Sequence, residues 1–249
     1  MQDLSTKTIR EIALEAPLST RIFEEYKIDF CCGGRVPFDE ACQNAGVDPA
    51  VVKARLDAML VAAGPEVRSP ERLSPTELIA QIIDKHHVFT RSEIARLVPL
   101  AEKVASRHGD TRPELAEIRD VFGDLAEELL VHMRKEEAVL FPFIEQLDAA
   151  ASGRLPAPLA HFGTVQNPIR MMLYEHDRAG ELLRDLRALS VDYTAPEWAC
   201  PSYRALFAGL QDLERDLHQH IHLENNVLFP QAIEMETELF GTSAGSSPI

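Results

Sequence analysis

Long apolar runs are missing from this chain. None approaches the roughly 18 residues that a membrane-spanning helix needs, so no spanning segment is expected. A secretory start is missing as well, since Met1-Gln2-Asp3-Leu4-Ser5-Thr6 has no basic beginning followed by an apolar stretch. Positive charge is scarce: 25 Lys and Arg stand against 40 Asp and Glu. The net charge of −15 excludes a nucleic-acid backbone or an anionic membrane as the main partner. Cysteine is limited to four residues, two of them adjacent, which does not make a secreted disulfide framework. A cytoplasmic protein with reduced thiols is expected. Alternation with period two is also absent, so strands are not expected.

What the chain does have is a repeat. His220-Ile221-His222-Leu223-Glu224-Asn225-Asn226-Val227-Leu228-Phe229-Pro230 follows His132-Met133-Arg134-Lys135-Glu136-Glu137-Ala138-Val139-Leu140-Phe141-Pro142 at a constant offset of 88 residues. The match runs backwards from each histidine at that same offset, with Leu115, Ile118, Phe122, Leu125 and Leu129 before the first copy. Tyr203, Leu206, Leu210, Leu213 and Leu217 precede the second. Steps of three and four residues mark the seam of a helix that faces other helices. His132 and Glu136 fall in that seam, as do His220 and Glu224, so ligand-type side chains stand where leucines are expected.

Four long helical patterns follow Ser74-Pro75-Thr76-Glu77, which is a capping serine, a proline at the first helical position and a glutamate three residues after the cap. The others open at Pro113, at Asn167-Pro168 and at Cys200-Pro201-Ser202. The first should run to about His108-Gly109, with Pro99 a candidate bend. The expected architecture is all-α: an up-down four-helix bundle over 75–240, built by duplicating a two-helix hairpin. A small helical domain should precede it over 1–62, with short patterns at Ile9 to Ala16, Leu18 to Tyr26 and Val51 to Leu60. Asp29-Phe30-Cys31-Cys32-Gly33-Gly34-Arg35 reads as a tight turn between them. The proline-rich stretch 63–74 is expected to be a linker and the small polar tail 241–249 to be disordered.

An isolated His-x-x-x-Glu pair is ordinarily a hydrogen-bonded pair on a polar face. Here it recurs at equivalent positions inside apolar seams, and the other two helices each offer an inward histidine: His176 in the third, His86 or His87 in the first. Those two are about 100° apart on a helix, so only one should face the centre. His87 continues Ile83, and His86 continues Ile79 and Ile82. Burying two carboxylates without compensation costs several kcal/mol per charge, and a metal cation removes that cost. Four imidazoles and two carboxylates suit a pair of first-row ions, iron before manganese, each taking two histidines with Glu136 and Glu224 bridging. His108, His161, His218 and His222 are expected on the surface or in loops.

At these residues the sequence resembles the hemerythrin-like di-iron proteins, and within them the family for repair of iron centres (the YtfE/ScdA type). The resemblance spans nearly the whole chain and is carried by Asp29-Phe30-Cys31-Cys32-Gly33-Gly34, by Glu175-His176-Asp177-x-Ala179-Gly180-Glu181-Leu182-Leu183, and by both repeat copies. It implies His87, His132, His176 and His220 as terminal ligands of two iron ions, with Glu136 and Glu224 bridging beside an oxo or hydroxo group. It settles the first-helix choice on His87, although Val88, Phe89 and Thr90 depart from the His-Asp-x-His pattern often found there. Glu128 and Glu175 match acidic positions thought to line a path to the metals, and Cys31 and Cys32 would be a thiol pair for metal handling. The implied function is repair of iron–sulfur clusters damaged by nitrosative or oxidative stress, through donation of labile iron. Reduction of nitric oxide to nitrous oxide and sensing of O2 or NO are the alternatives. Damaged iron–sulfur proteins would be the partners, and a homodimer through the N-terminal domain is expected.

Overall fold

The structure is a computed structural model that describes Leu4 and residues 6–31, 33–63 and 73–241. Cys32, most of the expected linker and all but the first residue of the expected tail lie outside the described residues. Helices dominate. In chain order they are α1 (Ile9–Glu15), α2 (Ser19–Glu25), α3 (Phe38–Asn44), α4 (Pro49–Ala63), α5 (Pro75–Gln81) and α6 (Val88–His108). Then come α7 (Glu114–Lys135), α8 (Phe141–Ala151), α9 (Gln166–Leu189), α10 (Pro201–Leu223) and α11 (Phe229–Gly241). Wider π turns, Ile82–His87, Glu136–Leu140 and Glu224–Leu228, join α5 to α6, α7 to α8 and α10 to α11. Among the described residues β-structure is confined to an isolated bridge between Thr8 and Pro37. The expected all-α fold is what forms.

The chain divides into two compact units, residues 1–79 with 218–249, and residues 80–217. In the second unit α6 packs on α7 and α7 on α9. Its core draws Leu97 and Val104 from α6, Phe122 and Leu125 from α7, Leu183 and Leu186 from α9, and Leu206, Leu210 and Leu213 from α10. Both apolar tracks that precede the repeated motif are buried along their whole length. Gly209 allows a close helix approach here, because a Cβ at that position would sit 2.6 Å from Leu97 Cδ2. Pro99 lies inside an uninterrupted α6. The irregularity in that rod is instead the π turn ending at His87.

In the first unit, Ile9, Ile12, Phe23, Phe30, Phe38, Val52 and Leu56 make a separate core. Thr8 and Glu11 form a capping box on α1. The pair Ser74 and Glu77 does the same ahead of α5: the Ser74 hydroxyl accepts from Glu77 N–H at 3.2 Å, and Glu77 Oε2 accepts from Ser74 N–H at 2.8 Å. Helix α3 is an addition to the sequence expectation, buried through Phe38, Ala41 and Cys42. The turn before it needs Gly34, since a Cβ there would lie 2.7 Å from the Phe30 carbonyl oxygen.

Candidate metal centre

Each sequence-expected ligand is buried: His87 and Glu136 at 0%, His132 at 4%, His176 at 2%, His220 at 1% and Glu224 at 0% exposure. In the unit 80–217, His87 Nε2 lies 3.4 Å from Glu136 Oε2, and His132 Nε2 lies 3.2 Å from Glu136 Oε1. His176 Nε2 approaches His132 Nε2 to 3.0 Å. One turn apart on the last helical rod, His220 Nε2 and Glu224 Oε1 are 3.0 Å apart. Within the unit 80–217, three imidazoles thus gather at the Glu136 carboxylate, while His220 and Glu224 repeat the His-x-x-x-Glu pairing of His132 and Glu136. Imidazole nitrogens and carboxylate oxygens converging this closely in a buried place make a donor set that fits first-row transition cations. Two fully buried carboxylates without a cation would each carry a large desolvation cost.

The opposite ring nitrogens are held from outside, as is usual for metal-ligating histidine. His87 Nδ1 is 2.7 Å from Glu137 Oε1, and Arg91 is 2.9 Å from the same oxygen. His132 Nδ1 is 2.9 Å from Glu175 Oε2, whose other oxygen pairs with Lys135. The hydrogen bond from His132 outweighs burial and, with Lys135, holds the Glu175 carboxyl down at about 2. Burial pushes Glu137 up, but bonds from His87 and Arg91 leave it below the usual carboxylate range. Glu175 is thus seated behind an imidazole. Glu128 lies apart, half-exposed and 3.7 Å from Arg178.

The π turns begin or end at ligands. Phe141 N–H donates to the Glu136 carbonyl five residues back, and Phe229 N–H does the same to Glu224. Val88 N–H donates to Ile83 immediately after His87. Pro142 and Pro230 explain two of the three turns. Proline cannot donate to the carbonyl four residues earlier and its ring clashes there, so widening the preceding turn relieves both problems. The repeat offset of 88 therefore carries over from sequence into this unusual backbone. His87 also stacks on Phe141, with centroids 5.7 Å apart and planes at 19°.

One expectation requires correction. His222, expected on the surface, is buried at 3% exposure, and that burial lowers its pKa to about 4. It lies beneath the Phe30 ring, with centroids 5.5 Å apart. His86, the neighbour of His87, is buried too but turns to Asp216, with Nδ1 3.0 Å from Oδ1. Of the cysteine pair, Cys31 is a buried thiol whose N–H and Sγ both lie against Asp29 Oδ1, at 3.0 and 3.4 Å. Glu137, Asn225 and Asn226 were not singled out by sequence reasoning. Only their places inside the repeated motif marked them.

Comparison with known proteins agrees with this geometry. The hemerythrin HHE cation binding domain matches residues 78–232, and the ScdA_N domain of unknown function matches residues 5–60. An iron-sulfur cluster repair protein YtfE of Musicola paradisiaca is 36% identical over 234 residues, covering 92% of this chain and 97% of that protein. The protein of the same name from Edwardsiella ictaluri is 35% identical, covering 91% and 96%. A probable iron-sulfur cluster repair protein of Haemophilus influenzae is 34% identical, covering 90% and 96%.

Proposed function

The chain belongs to the hemerythrin HHE cation-binding family, and from that premise we propose that it is an iron–sulfur cluster repair protein holding two iron ions joined by an oxo or hydroxo group. The observation that carries this reading is the convergence of His87, His132 and His176 at the buried Glu136 carboxylate, with the same His–Glu pairing repeated at His220 and Glu224. Each ion would take two of the four histidines, and Glu136 and Glu224 would bridge them. When bound, the pair supplies iron for a damaged cluster, so part of the cofactor is also the cargo. The chain's own residues keep the ligands oriented. Glu137 and Glu175 engage Nδ1 of His87 and His132 and leave Nε2 facing Glu136. Arg91 and Lys135 hold those outer carboxylates in turn. Phe141, buried and stacked on His87, keeps bulk water off that imidazole's face.

The relatives' names describe repair, which favours this reading over nitric oxide reduction or gas sensing. The proposed clients are iron–sulfur proteins damaged by nitric oxide or oxidants, met in the cytoplasm by a homodimer. The test pairs elemental analysis with reactivation of a cluster enzyme. Protein purified without added metal should contain about two irons per chain, and Glu136→Leu, which removes a shared ligand, should lose most of both. Loaded wild type should restore activity to a nitric-oxide-treated cluster enzyme in proportion to the iron it loses. Zinc alone, undiminished iron in Glu136→Leu, or no restoration would overturn the proposal.

A further inference from the structure

We infer that Asn226 is a positioning residue that fastens the Cys31 turn to the helical turn carrying Glu224, so that metal occupancy and access to the Cys31 thiol are linked. The inference rests on the reading of Glu224 as a metal ligand. Asn226 is buried at 7% exposure inside the π turn Glu224–Leu228, where the first repeat copy has Ala138. Its side-chain amide nitrogen lies 3.2 Å from the Phe30 carbonyl oxygen and 2.9 Å from His222 Nδ1. Carbonyl oxygen is only an acceptor, which orients the amide with its nitrogen towards Phe30. The His222 imidazole is hydrogen-bonded to the Phe30 backbone as well, so both side chains of this pair meet the same peptide.

Other bonds join the same two segments. Asn225 Nδ2 lies 3.5 Å from the Cys31 carbonyl. Arg10 holds both sides: its backbone N–H donates to the Gly34 carbonyl at 2.6 Å, and its guanidinium donates to the Asn226 carbonyl at 3.2 Å. The Phe30 ring meets His222 edge-on. Cys31 sits between these anchors at 6% exposure, against Asp29. A reagent reaches that thiol only when the turn lifts, and lifting it removes the partners of Asn225 and Asn226 on the turn that Glu224 begins. Coupling between two such states is reciprocal: whatever steadies Glu224 also protects Cys31.

The test is the rate of N-ethylmaleimide addition to Cys31, with fragment-ion mass spectrometry separating it from Cys32. Rates are read in iron-loaded and metal-free full-length chain. Wild type should label about tenfold more slowly when loaded, at the low end of typical couplings between sites. Asn226→Leu, similar in size but without the amide, should label faster in both forms and bring the ratio close to one. A merely structural role would shift both rates together and leave the ratio at its wild-type value, which would overturn the inference. If Asn226→Leu does not fold, Arg10→Met removes the half-buried outer bond and should lower the same ratio; an unchanged ratio there overturns it too. If wild type binds no metal, the reading of Glu224 has failed. Metal-free labelling then still tests the fastening, which is overturned if Asn226→Leu and wild type react equally fast.

Discussion

His132 Nδ1 and Glu175 Oε2 lie 2.9 Å apart, so a residue next in sequence to one expected ligand orients the imidazole of another on a different helix. At the position that family resemblance places on an access path, Glu175 bonds an expected ligand's imidazole and Lys135. Its carboxyl is held at about 2 by that bond and by Lys135, and it therefore remains an anion across the physiological range.

Removing Glu175 should weaken metal binding without unfolding the bundle. Glu175→Leu is expected to lower affinity by about tenfold, the scale seen when an outer-shell partner is lost. Glu128→Gln, whose side chain is half-exposed beside Arg178, should stay within about twofold of wild type, as surface pairs contribute little. Competition against a chromogenic chelator measures both, and equal effects would contradict the distinction.

The two prolines after the repeated phenylalanines should matter for metal more than for stability. In Pro142→Ala, residue 142 regains an N–H that can donate to the Ala138 carbonyl, and the turn from Glu136 can relax to ordinary α-helix. That change rotates Glu136 relative to α8 by about 100°. Metal content should fall while circular dichroism and melting temperature hold or rise, and Pro230→Ala should behave alike. Full metal content in both variants would assign the π turns to packing rather than to proline.

Cys42 should be inert in the folded chain. Burial, with Asp39 and Asp48 adding to it, pushes its thiol from 9.0 to about 11. A raised folded-state pKa means the thiol stays protonated while the unfolded chain already ionises, so stability is full below pH 9 and is lost as pH rises from 9 towards 11. Chemical denaturation across that window should show a steeper loss for wild type than for Cys42→Ala. At pH 8, iodoacetamide should leave Cys42 unmodified until the chain unfolds.

The duplicated tracks were readable because a helix seam writes its period directly into apolar spacing. Leu115 to Leu129 and Tyr203 to Leu217 all reach the core as that spacing requires. The candidate ligands stood out for the same reason, as polar residues in apolar places, and all six are buried. The π turns left no comparable trace, since a single extra residue per turn shifts phase without changing composition; the repeated Phe-Pro was their one local cue. Helix α3 offers only Phe38, Ala41 and Cys42, too short a pattern to separate from a loop. His222 does point away from its own seam, as the helical angle demands. What periodicity could not supply is the Phe30 turn that covers that side, a tertiary contact between residues nearly two hundred positions apart.

The two repeat copies have divided their labour. At the offset of 88, Glu137 in the first copy corresponds to Asn225 in the second, and Ala138 to Asn226. Glu137 serves the chain's own histidine, His87, whereas Asn225 and Asn226 reach out to the Phe30–Cys31 backbone. Equivalent outward positions thus carry different loads: in the first copy a carboxylate braces an imidazole, and in the second two amides hold the backbone of a distant turn.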